Sequence, residues 1–148
     1  MPLFELTREN LRRSVGLYRD LATGVPEPAL GEKLPGSPSN TLGQQLWCVI
    51  GARESYGRAI AAGEWSGFSC SFDGDRCGVK QDVIQALESS GSEVLDALAS
   101  GESFTDQQNR LVLDLLEHEA AHHGQLIRYL YALRLPIPES WKSRYALD

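Results

Sequence analysis

Two histidines, His118 and His122, stand four residues apart in the string His118-Glu119-Ala120-Ala121-His122. On a helix, positions i and i+4 share a face, so both ring nitrogens can converge on one metal ion. The stripe Leu111, Leu115, His118, His122, Gln125 and Tyr129 follows the core period of an amphipathic helix and directs the two imidazoles inward. A single histidine on such a face is usually a core residue with a satisfied hydrogen bond. Two at ligand spacing favour a metal site. His123 is rotated by about 100° from His122 and is expected to face a neighbouring helix or solvent. Gln125, one turn beyond His122, is the candidate to orient a bound group.

The same string matches the HExxH pattern of zinc peptidases, in which the glutamate acts as general base. Those enzymes set the helix beneath a sheet and take a third ligand from downstream. Here no strand is legible, and the only downstream acid before the last helix, Glu139, follows two prolines in the tail. The peptidase remains the lesser alternative. Glu117 and Glu119 lie one residue from His118 and are thereby turned off the metal stripe, into a solvated or supporting role.

With 148 residues, the chain fits one domain, 1–148, able to bury a core without staples. Its 14 basic and 20 acidic residues give a net charge of −6, and no basic run could follow a phosphate backbone, which argues against a nucleic-acid partner. No apolar run approaches the roughly 20 residues that span a bilayer, and Glu5 and Arg8 do not begin a secretory signal. A cytoplasmic location is expected. The three cysteines are an odd number for a disulfide framework, so free thiols are expected. Cys70 and Cys77 read as ordinary loop thiols, with a redox-labile pair as the alternative.

The elements that must position the histidines follow from periodicity and punctuation. Phe4, Leu11, Val15 and Tyr18 mark a helix over 3–23, which Gly24 and Pro26 end. A proline-rich crossover follows. Thr41 with Gln44 forms a capping-box signature for a second helix, 41–63. The segment 64–78, with Trp65, Phe68 and Phe72 among glycines and serines, reads as a long connection packed on the helices and able to roof a site. A third helix over 79–100 carries Val83, Leu87, Val94 and Leu98 on one face, and Gly91 inside it. Thr105 with Gln108 opens the fourth, 105–134, which the Leu135-Pro136-Ile137-Pro138 stretch stops. Trp141 and Tyr145 suggest a short docked helix in the tail. No window alternates with period two, so the class is all-α and the architecture a four-helix bundle. The length of 64–78 permits the second and third helices to run parallel.

The stretch from His118 through Gly124-Gln125-Leu126-Ile127, with Tyr129-Leu130 and the Pro136 exit, resembles the last helix of the DinB/YfiT-like superfamily. The resemblance extends to the order of four helices, to Ser39-Asn40-Thr41-Leu42-Gly43 at the opening of the second, and to the long second connection. It implies a bundle with parallel second and third helices, frequent homodimers, and a divalent metal, zinc or nickel, held by one histidine of the second helix and two of the fourth. His118 and His122 match that pair. At the position of the second-helix histidine, within Leu46-Trp47-Cys48-Val49-Ile50, this chain has Cys48. A thiolate is a good zinc ligand, and a set of Cys48, His118 and His122 leaves an open fourth position. The alternative is a site that has lost its third ligand, with Cys48 as a core filler.

Two functional classes stay open. In the first, the chain is a metal-dependent enzyme acting on a small molecule, a thiol-dependent transferase or isomerase or a hydrolase, with a low-molecular-weight thiol as partner. In the second, it is a non-enzymatic metal-binding or structural, stress-associated dimer with a degenerate site.

Overall fold

A computed structural model describes residues 1–99 and 103–148. Among them the regular structure is helical: α1 (Leu3–Gly24), α2 (Leu42–Ala62), α3 (Lys80–Ala97), α4 (Asp106–Ala132) and α5 (Glu139–Tyr145), with short 3-10 turns at Glu27–Gly31 and Gly74–Arg76. The described residues contain no strand, only an isolated antiparallel bridge between Lys33 and Thr41. The all-α class expected from periodicity therefore holds. No described helix is long and apolar enough to cross a membrane.

Helix boundaries sit where local chemistry puts them. Thr41 accepts from the Gln44 amide while the Gln44 side chain accepts from the Thr41 amide, and Thr105 and Gln108 repeat the arrangement at the start of α4. Each box satisfies two backbone donors that a helix start otherwise leaves open. Gly63 ends α2 in the left-handed region at φ 81°, a conformation without penalty for glycine. The third helix is shorter than its periodicity suggests, starting at Lys80 and ending at Ala97; Ser100, the expected last residue, lies outside the described residues.

Helix α2 packs chiefly against α3 and α4, α1 against α3, and α1 more lightly against α4 and α5. The apolar core is divided. A larger cluster gathers Leu17, Tyr18, Leu46, Ile50, Leu87, Leu126 and Trp141, and a smaller one gathers Leu11, Ala59, Ile60, Val94 and Leu115. Along α2 and α3 the chain passes from the larger cluster to the smaller, and along α1 and α4 from the smaller to the larger. Between the two lies a buried polar layer with one member from each of α1 to α4: Ser14, Arg53, Ser90 and Glu119. Gly91 belongs to this layer for a steric reason. A Cβ there would come within 2.7 Å of Val15 Cγ1, so glycine lets α1 and α3 approach, which offsets its helix cost of roughly 1 kcal/mol.

The tail helix is docked as the sequence suggests. Trp141 is fully buried and donates its indole N–H to the Leu17 carbonyl at 2.7 Å. The connection 64–78 also packs: the Phe68 ring lies against Trp47, with centroids 5.5 Å apart, and occupies the space a Cβ on Gly51 would need. The indole of Trp47 donates to Phe72 O at 2.9 Å.

Candidate metal centre

The second turn of α2 carries Gln45 and Cys48, and the middle of α4 carries His118 and His122. Because α2 packs on α4, the two pairs face each other. One donor atom from each of Cys48, His118 and His122 lies within 4.8 Å of the others, so the cluster could hold a metal ion. Cys48 Sγ and His118 Nε2 are 3.6 Å apart. A tetrahedral ion with ligand distances of about 2.3 Å to sulfur and 2.0–2.1 Å to nitrogen sets its S and N donors roughly 3.5 Å apart. Cys48 and His118 are half-buried and His122 is buried, so the donors sit at the edge of the core.

The two imidazoles are held differently. His122 Nδ1 lies 2.6 Å from Gln45 Oε1, which requires the proton on Nδ1 and leaves the Nε2 lone pair free. Gln45 is itself fixed by donating to Asn40 Oδ1 at 2.6 Å. Such an outer partner is what orients ligating histidines. His118 Nδ1, by contrast, is buried without a hydrogen-bond partner. Burial lowers the pKa of His118 below its ordinary value. Burial, with His118 alongside, takes His122 to about 4, so both rings are neutral and able to donate lone pairs at neutral pH. The Cys48 thiol is pushed up by burial, and its proton leaves readily only when a cation replaces it. A soft sulfur with two imidazoles is a donor set suited to zinc.

Gln125 does not take the role expected of it. It is exposed, and the buried neighbours at that level of α4 are Leu126 and Tyr129. The supporting amide comes from Gln45 on α2, whose place one turn before Cys48 was the available signal. Glu119 is not solvated, and its hydrogen bonds go away from the donors. It is almost wholly buried, and its carboxylate receives Arg53 Nε at 2.6 Å and Nη2 at 3.0 Å as well as the Ser14 hydroxyl. Burial alone would raise its pKa, but the Arg53 charge and these hydrogen bonds hold it below the ordinary value. A carboxylate so paired with Arg53 and Ser14 is a poor proton acceptor, which argues against its acting as a HExxH general base.

His123, expected toward a neighbouring helix or solvent, faces α1. Its Nε2 is 2.9 Å from Ser14 Oγ and its Nδ1 is 2.6 Å from the Tyr145 hydroxyl. Since the Ser14 proton goes to Glu119, Ser14 accepts from His123 Nε2–H, and Nδ1 accepts from Tyr145. Ser14 is thus a relay member, not an activated nucleophile. Arg53 also lies 5.0 Å over the Tyr18 ring and donates to Leu87 O. None of Arg53, Ser14 and Gln45 stood out in the sequence. The signal for Arg53 was a charged residue on the buried stripe of α2, between Ile50 and Ile60.

All three cysteines are free thiols, and Cys70 and Cys77 are unpaired. The chain matches no family model and no curated protein.

Proposed function

We propose that Cys48, His118 and His122 form an open divalent-metal centre, of zinc type by its donor set, in a DinB-like four-helix bundle whose second and third helices run parallel. The observation that carries this reading is the convergence of the three donors within 4.8 Å, with Gln45 presenting the free Nε2 of His122. The passage of α2 and α3 through the two core clusters in the same order supports the bundle topology. A cation held by these residues would supply Lewis-acid stabilisation to a small thiol or water and lower its pKa, the chemistry that a thiol-dependent transferase or a hydrolase requires. Cys48 contributes the anionic ligand, and the two neutral imidazoles leave the remaining position to the incoming group. Trp47, next to Cys48 in the sequence of α2, packs against Phe68, and this aromatic pair suits the apolar body of a small substrate. A homodimer and nickel as the alternative metal belong to the same proposal.

A second reading, a non-enzymatic metal-binding or structural dimer, is favoured by one feature: His118 Nδ1 has no partner to orient its ring. Elemental analysis of protein purified without a metal-affinity tag tests the centre. About one equivalent of zinc is expected in the parent, none in His118→Ala or His122→Ala, and weakened retention in Cys48→Ala. Absence of metal from the parent after equilibration with zinc would overturn the centre. A screen of small thiols with electrophilic acceptors then separates the two readings, since metal without any thiol-dependent turnover selects the second.

A further inference from the structure

A cavity opens on the side of α4 that carries Leu116, Glu119 and His123, and none of the metal donors lines it. Its volume is about 130 Å³, room for a small organic acid, since a liquid water takes roughly 30 Å³. Arg13 of α1 and Arg144 of α5 stand at its sides with Asn10 and Tyr145, and Ser14 and His123 lie beneath. Leu17 and Leu116 add apolar wall.

The charge there is unusual for a chain of net charge −6. Among the described residues, neither Arg13 nor Arg144 meets a carboxylate at ion-pair distance. Arg13 donates only to Asn10 Oδ1, at 2.8 Å, and Arg144 lies 4.9 Å over the Tyr145 ring. The remaining arginines with carboxylate partners, Arg8, Arg19, Arg53 and Arg76, lie elsewhere. Glu119 is the one carboxylate lining the cavity, and Arg53 already neutralises it. Asp20, in the adjoining cleft, is held by Ser140 at 2.7 Å and by Arg19. Two exposed arginines therefore border one concavity whose single carboxylate is already paired, and the Asp20 of the cleft they also line is bound by Arg19 and Ser140. Both line the same cavity as His123 and Tyr145.

We infer that the cavity between Arg13 and Arg144 is a binding site for a small oxyanion-bearing molecule, its carboxylate or phosphate group taken by the two guanidinium forks and its carbon body lying on Leu17 and Leu116. Guanidinium forks match the planar, two-oxygen geometry of such groups. The floor rejects cations because its only negative group is already paired. The metal donors are not part of this site, so occupation does not require an ion at Cys48.

Isothermal titration calorimetry on the full chain, kept metal-free with chelator and at low ionic strength, tests the assignment with malonate and inorganic phosphate as separate probes. Saturable 1:1 uptake of at least one is expected, and the tighter probe identifies the group. Arg13→Gln and Arg144→Gln should each weaken uptake roughly tenfold or more, as loss of a charge-assisted pair does. Arg144→Lys, which keeps the charge and loses the fork, should fall between. Arg110→Gln, an exposed change on another face of α4, should stay within about twofold of the parent. Thermal melts of each variant confirm that the fold is kept. Absence of saturable uptake of both probes, or equal weakening in Arg110→Gln, would overturn the site. Neither outcome bears on the metal centre, whose own test is retention of zinc.

Discussion

The two sides of α4 carry adjacent residues in opposite states. Glu119 and His123 look toward α1 and the guanidinium of Arg53, and nearly every polar atom they own is matched: two Arg53 nitrogens and Ser14 on the carboxylate, Ser14 and Tyr145 on the imidazole. His118 and His122 look toward Cys48, where three donors converge and one imidazole nitrogen has no partner. A saturated network holds helices together, because its members would be expensive to leave unpaired. A convergent set of sulfur and imidazole donors has the capacity to hold a metal ion. One stretch of helix thus supplies a structural clasp on one side and a candidate site on the other, and neighbouring residues of the HEAAH string belong to different sides.

The largest expected effect is on the clasp. Glu119→Gln leaves Arg53 buried without its counter-charge and should lower unfolding free energy by about 3–5 kcal/mol in urea titrations. A loss below about 1 kcal/mol would erase the distinction between the two sides. The next effect is pH dependence. His122 and His123 are held to about 4 by burial, against an ordinary value of 6.5. Because the folded values lie below the unfolded ones, the unfolded chain binds more protons between about pH 6.5 and 4, and stability falls as pH falls through that window. At about 1.4 kcal/mol per unit for each group, metal-free protein should lose on the order of 4 kcal/mol between pH 7 and pH 5. The paired variant His122→Gln with His123→Gln should flatten that slope.

On the other side, Gln45→Leu removes the acceptor that sets the His122 tautomer. Zinc affinity in a competition assay with a chromophoric chelator should fall roughly 10–100-fold, with the melting temperature of metal-free protein little changed. The smallest effect is Cys48→Ala in metal-free protein, where about 1 kcal/mol or less of stability should be lost. A loss of several kcal/mol would make Cys48 a packing residue first, and the site side would no longer differ from the clasp.

How much of this was legible follows from where each signal resides. Helix starts were readable because Thr41/Gln44 and Thr105/Gln108 write the capping box in local sequence. The histidine pair of the candidate cluster was readable because ligand spacing on one helix is local too, and the Cys48 position followed from a resemblance. What failed is non-local. The seam through His118, Gln125 and Tyr129 repeats at about 3.5 residues, but α4 is covered by α2 on one side and α1 on the other. Its buried surface is therefore wider and includes Glu119, His123 and Leu126, while Gln125 turns to solvent. The Arg53–Glu119 pair joins residues 66 apart in sequence, and nothing in either neighbourhood names the other.

The polar layer that divides the core also acts as an index mark between helices. Purely apolar helix faces tolerate sliding, because one leucine seated against another costs little more than the native pairing. Here a slip of α4 along α2 by a single residue would turn Glu119 about 100° away from Arg53 and strand both charges in the interior. The same slip would carry His118 and His122 off Cys48. An error in the alignment of the donors is thereby tied to the breaking of a fully buried ion pair, and the centre inherits a positional accuracy that its own three side chains do not enforce.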